Sequence, residues 1–219
     1  CNADTAAIAK RYNISGVFAR VLVNRGLYTW KDMDAYLFPD MEKMYKPGLM
    51  KDVTKAAEIL MDAIKNNVKI RVIGDYDVDG VMSSYILYRG IVMLGGEVSC
   101  RIPHRVKDGY GIRDYMVDEA KEDGIGLIIT CDNGISAVSA ASRAKELGIT
   151  YILTDHHEVP DNDGTEIIPD ADAVVNPKQK ACEYPYNMLC GAGVVYKLMS
   201  YIFEKKNDKS YINELLPFA

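Results

Sequence analysis

From Lys69 onward the chain alternates short apolar runs with longer amphipathic stretches, and few architectures accommodate that rhythm. The runs are KIRVIG (69–74), EVSCRI (97–102), GLIITC (126–131), TYILT (150–154) and DAVVN (172–176). Helical segments are expected between the first four, near 80–94, 112–123 and 136–147, with a last helix over about 191–206. Strands separated by helices make βαβ units. The expectation is therefore an α/β fold with a mostly parallel sheet flanked by helices. Before Lys69 the pattern is helical instead: Ala57, Leu60, Met61 and Ile64 recur at three- and four-residue spacing. Gly26, Pro39 and the Pro47-Gly48 pair punctuate these helices. Residues 1–68 are expected to form a helical amino-terminal segment packing on the core, and 69–219 the α/β domain.

Composition narrows the function classes. A net charge of −5 leaves no broad basic face, so an anionic partner would need a local basic site or metal ions. No apolar run approaches the ~20 residues of a membrane helix. The five cysteines (Cys1, Cys100, Cys131, Cys182 and Cys190) show neither C-x-x-C pairing nor zinc spacing, and read as reduced thiols of a cytoplasmic protein.

The unusual polar residues follow the apolar runs. Asp75, Asp77 and Asp79 alternate after the first, Asp132-Asn133-Gly134 follows the third, and Asp155-His156-His157 follows the fourth. Ligands of a parallel sheet gather at the carboxyl ends of its strands, so neighbouring strands would bring these clusters to one edge. Crowded carboxylates need a cation. Carboxylates suit Mg²⁺ or Mn²⁺, an imidazole tilts the set toward Mn²⁺, and two ions about 3.5–4 Å apart would clamp a phosphoryl centre. Singly, each signal has a plainer account: Asp79 as a helix cap, Asp132 as a turn residue, the His-His pair as surface. A basic loop, RIPHRVKDGYGI, carries Arg101, His104, Arg105 and Lys107 beside Gly109-Tyr110-Gly111. It suits a phosphate and a stacked base, or equally a solvated turn. Gly191 and Gly193 in CGAGVVYKL could cradle phosphate at a helix start, or serve close packing.

Together GDYDVDG, CDNGI and TDHHEVP resemble the DHH phosphoesterase superfamily, whose domain is Rossmann-like, and within it the RecJ family of single-strand-specific 5′→3′ DNA exonucleases. VLVNRG, YLFPDM, IPHRVKDGYGI, AVVNP and LCGAGVVYKL match that pattern in order, so the resemblance covers nearly the whole chain. It implies a manganese- or magnesium-dependent hydrolase of DNA repair and recombination, holding two ions and releasing mononucleotides from single-stranded DNA. Its implied partners are a single-strand-binding protein and a helicase, with no membrane. By position, Asp77, Asp79, Asp132 and His156 would be metal ligands, with Asp75 as ligand or support. Asp155 would orient the site, His157 would contact the scissile phosphate, and Arg105 with the Tyr110 loop would handle the nucleotide chain.

Two departures bear on these expectations. The family's third-strand motif reads Asp-Cys-Gly where this chain has Asp132-Asn133-Gly134, which keeps the aspartate. The sequence stops at INELLPFA, before the Gly-Thr-x-x-Asp stretch that supplies a further aspartate and before the family's second, DHHA1-type domain. The expectation is an amino-terminal fragment holding most of the metal site and little activity. Competing expectations are a superfamily phosphodiesterase for short oligonucleotides, cyclic dinucleotides or pyrophosphate, a non-catalytic nucleic-acid-binding replication scaffold, and a small-molecule Rossmann-like domain. The relatives cutting short substrates carry a His-x-Asn-Pro-Asp type first motif instead of GDYDVDG. A scaffold tends to lose acidic or histidine positions that are present here.

Overall fold

Three short helices open the computed structural model, which describes residues 4–219. They are α1 (Thr5–Tyr12), α2 (Gly16–Asn24) and α3 (Trp30–Leu37). Asp4, Ser15 and Thr29 cap them by accepting first-turn N–H groups. Ile8, Ala19, Leu22 and Met33 form a small core of their own. A second unit begins at Lys46.

The first α-helix of that unit, α4 (Val53–Lys65), buries Ala57, Leu60 and Ile64 of the four positions picked out by the helical spacing and leaves Met61 partly buried. The expected alternation follows: β1 (Ile70–Ile73), α5 (Val78–Met93), β2 (Val98–Arg101), α6 (Asp114–Glu122), β3 (Leu127–Cys131), α7 (Val138–Glu146) and β4 (Thr150–Thr154). A small antiparallel hairpin, β5 (Asp161–Asn162) and β6 (Thr165–Glu166), precedes β7 (Ala173–Val175). Helices α8 (Gly191–Lys205) and α9 (Ser210–Leu215) close the unit. The hairpin and α9 were not expected from the sequence.

The sheet runs β2-β1-β3-β4-β7, and every neighbouring pair is parallel. Strand residues alternate between its faces, as a period of two requires. Ile70, Val72, Leu127 and Ile129 pack with α4, α5 and α8 in one core, whereas Ile73, Ile128, Tyr151 and Leu153 pack with α6 and α7 in the other. From β1 the chain first winds outward to β2, then returns to lay β3 on the opposite side of β1. That reversal is the switch point, where the loops after β1 and β3 diverge and leave a crevice. Among the described residues, no helix is long and apolar enough to cross a membrane.

Candidate metal centre

The crevice collects the three clusters. Asp75 and Asp77 lie on the loop after β1, Asp132 directly follows β3, and Asp155, His156 and His157 follow β4. Ligand atoms of Asp75, Asp77 and Asp132 lie within 4.8 Å of one another, as do those of Asp132, His156 and His157. Asp132 belongs to both groups.

Close backbone packing holds the loop after β1 in place. A Cβ on Gly80 would sit 2.6 Å from the Asp75 backbone nitrogen and oxygen, so only glycine lets α5 start against the turn. Asp77 is the N-cap of α5, its carboxylate accepting from the Gly80 N–H. Asp79, which the sequence offered as the cap, serves a different helix. Its two oxygens accept from Gly191 N and Ala192 N, each at 2.7 Å, at the start of α8. The positive end of α8 thus faces a carboxylate.

Those bonds also bear on Gly191 and Gly193. The Gly191 N–H is held by Asp79 and the Gly193 N–H by Cys190 Sγ, which leaves neither for a phosphate. A Cβ on Gly191 would meet Asp132 Oδ1 at 2.7 Å, so Gly191 is there for close packing against the carboxylate.

Asp132 takes a left-handed backbone conformation, with φ +60°. Its Oδ1 lies 2.9 Å from His156 Nε2, yet no hydrogen-bond donor is aligned on that buried oxygen. Burial pushes the Asp132 carboxyl up to about 6, against the opposing pull of His156. Asp75, only 1% exposed, is raised for the same first reason and then by Asp77, and its Oδ1 also lacks a donor. Asp132 raises the affinity of His156 for its proton.

Asp155 is the anchor of the third cluster. Burial alone would raise its carboxyl, but the His157 ring and the N–H groups of Ile135 and His157 together hold it below the usual carboxylate range. His157 Nδ1 lies 2.7 Å from Asp155 Oδ1, which assigns a proton to Nδ1 because an ionised carboxylate only accepts. The same contact raises the His157 pKa. Asn176 steadies the segment by donating to the His157 carbonyl.

The basic loop reaches the crevice in part. The Arg105 guanidinium lies 5.3 Å over the Tyr76 ring, next to Asp75 and Asp77. Tyr110 donates from its hydroxyl to the Asp132 carbonyl at 2.7 Å. Gly109 and Gly111, at φ +75° and +74°, make the turn that brings the ring inward. His104 stays in its own turn, where Nδ1 accepts from the N–H groups of Val106 and Lys107. A cleft of about 270 Å³ opens beside His157, lined in part by Tyr110, Arg113, Ser136 and Ser139.

Asn133, which the sequence marked only as a departure from the family's Asp-Cys-Gly motif, has a structural task of its own. It is fully buried, accepts from Ile112 N, and donates to the carbonyls of Ile73 and Cys131. One amide side chain thus ties the ends of β1 and β3 to the loop before α6. A signal was present, since a polar residue just beyond a mostly apolar strand, LIITC, must find partners wherever it is buried.

This donor set fits divalent cations: carboxylates and imidazoles converge, and two buried carboxylate oxygens have no donor. Comparisons with known proteins agree with that chemistry. RecJ of Bacillus subtilis (strain 168), named a single-stranded-DNA-specific exonuclease, is 40% identical over 192 residues, which cover 88% of this chain and 24% of the relative. The Escherichia coli (strain K12) protein of the same name is 36% identical over 196 residues, covering 89% of this chain and 32% of the relative. The chain thus spans a quarter to a third of the length of these relatives. Among solved structures, exonuclease RecJ bound to manganese matches with a TM-score of 0.63 at 34% identity, over 73% of this chain and 39% of that one. RecJ of Thermus thermophilus in complex with Mn²⁺ matches with a TM-score of 0.68 at 27% identity, over 94% of this chain and 28% of that one. The model of the DHH family, N-terminal domain, matches residues 69–218. The chain, with its acidic and imidazole clusters gathered at the switch point of a parallel sheet, belongs to the DHH family as its N-terminal domain.

Proposed function

We propose that this domain holds the metal centre of a single-strand-specific 5′→3′ DNA exonuclease that uses Mn²⁺ or Mg²⁺. The observation that carries the proposal is the convergence of two ligand groups on one shared carboxylate, Asp132. Asp77, Asp79, Asp132 and His156 are the proposed ligands, with Asp75 as ligand or support. When bound, the ions neutralise the phosphodiester and lower the pKa of a water toward neutrality. Asp155 holds the His157 proton on Nδ1, leaving Nε2 to face the phosphate oxygens. The raised pKa of His157 favours its cationic form, which suits charge growing on those oxygens. Arg105, braced on Tyr76, offers its guanidinium to the backbone of the strand. None of these groups reads a base edge, so cleavage would tolerate any sequence. On the same reading the domain works in the cytoplasm, on strands exposed by a helicase and carried by a single-strand-binding protein.

The test has two parts. Mn²⁺ titration of this chain, followed by electron paramagnetic resonance, should show binding that Asp132→Asn weakens by at least ~100-fold, the upper end of what a lost outer partner alone would do. A polypeptide of the relatives' length carrying this chain is then offered 5′-phosphorylated single-stranded DNA, the matching duplex and a dinucleotide. Mononucleotides from the single strand alone support the proposal. Cleavage of the dinucleotide alone would move the domain to the short-oligonucleotide branch, and silence on all three without Mn²⁺ binding would make it a scaffold.

A further inference from the structure

We infer that Tyr110 is a positioning residue of the metal centre, acting through its hydroxyl on Asp132 and His157, and that base stacking is not its main task. The inference rests on the proposed function for its enzymatic readout but not for its structural one.

Three observations carry it. The Tyr110 hydroxyl donates to the Asp132 carbonyl at 2.7 Å, and Asp132 is in the left-handed region that favours glycine. A bond to that carbonyl holds the peptide in the orientation that turns the Asp132 side chain into the crevice. The same hydroxyl oxygen lies 3.2 Å from both ring nitrogens of His157, which sets it against the ring out of its plane. The two rings meet edge to face at an interplanar angle of 77°. His157 is therefore fixed by two groups, Asp155 at Nδ1 and the Tyr110 hydroxyl against the ring.

The loop is anchored at the next residue but one. Ile112 donates to Asn133 Oδ1, so consecutive residues of β3's exit, Asp132 and Asn133, are each bonded to the loop. Arg113 closes it by donating from Nε to the Asp108 carbonyl. A tyrosine whose task was to stack a base needs only a free ring face. Here the hydroxyl is aimed inward at a backbone carbonyl, which a phenylalanine could not reproduce.

The experiment compares Tyr110→Phe with Tyr110→Ala. Side-chain NMR of this chain without metal reads the His157 ring, assigned through His157→Gln. In Tyr110→Phe the ring resonances should move, and Mn²⁺ affinity should drop about tenfold, the scale of a lost outer partner. In the longer polypeptide, kcat on single-stranded DNA should fall about 10–100-fold with KM within about twofold, while Tyr110→Ala adds little further. Unmoved His157 resonances in Tyr110→Phe, with unchanged kcat and a KM that rises only in Tyr110→Ala, would overturn the inference in favour of stacking. If the unmutated polypeptide cleaves no DNA yet the ring resonances move, the function is refuted and the positioning role stands.

Discussion

At the scale of single residues, the centre is built from groups whose protonation opposes metal binding. Burial raises Asp132 to about 6, and the Asp132 contact raises His156. Both folded-state pKa values lie above the unfolded ones. Their contribution to metal-free stability is therefore complete below the unfolded values and is lost as pH rises through the folded ones. Metal-free domain should lose stability, on the order of 3 kcal/mol, between about pH 4 and 6 as Asp132 titrates, with a further loss above pH 6.5 from His156. Asp155 runs the other way, but its depressed pKa confines that effect to more acid solution. A divalent cation needs the deprotonated forms, so Mn²⁺ affinity should climb over the same interval. Urea melts at stepped pH, with chelator and with Mn²⁺, check both slopes; metal-free stability rising through that window would contradict the assignment. The acidic residues themselves were legible, because like charges crowded at strand ends need compensation. The partners of Asn133 and the Tyr110 hydroxyl were not. Both bond to backbone carbonyls distant in sequence, and periodicity carries no information about which carbonyl a buried donor meets.

Among elements, the sheet strands were readable as short apolar runs set between helical stretches, and α4 from its three- and four-residue spacing. The hairpin β5–β6 has strands of two residues, too short for any alternation to register. Its turn carried a signal all the same, since Asp163-Gly164 takes positive φ at both positions, as a type I′ hairpin turn requires. Asp79 went astray for a related reason. The plainer account of Asp79 placed its cap on its own helix, whereas the carboxylate serves α8, an element over a hundred residues further along. The join of β1 to α5 gives the sharpest test at this scale. Gly80→Ala forces a Cβ onto the Asp75 backbone, and should cost about 1–3 kcal/mol while shifting Asp75 and Asp77 enough to weaken Mn²⁺ binding. Gly16→Ala, where a Cβ meets nothing within 4 Å, is the control. Equal unfolding midpoints for the two variants would rule out the close-packing account.

For the whole molecule, the strand order β2-β1-β3-β4-β7 decides when in folding the centre can exist. Its proposed ligands follow the ends of three adjacent parallel strands and run from Asp75 to His156. No local segment holds a complete set, so parallel pairing of β1, β3 and β4 must come first. Such pairings close late, because long loops are ordered before their contacts form. An ion that binds only the finished crevice stabilises the native state and leaves the transition state untouched. In stopped-flow chevrons Mn²⁺ should therefore slow the unfolding arm and leave the refolding arm in place. Faster refolding with Mn²⁺ would mean that part of the centre forms early. Topology thus makes the metal a latch: it does not help the chain find its fold, it sets how long the fold lasts once found.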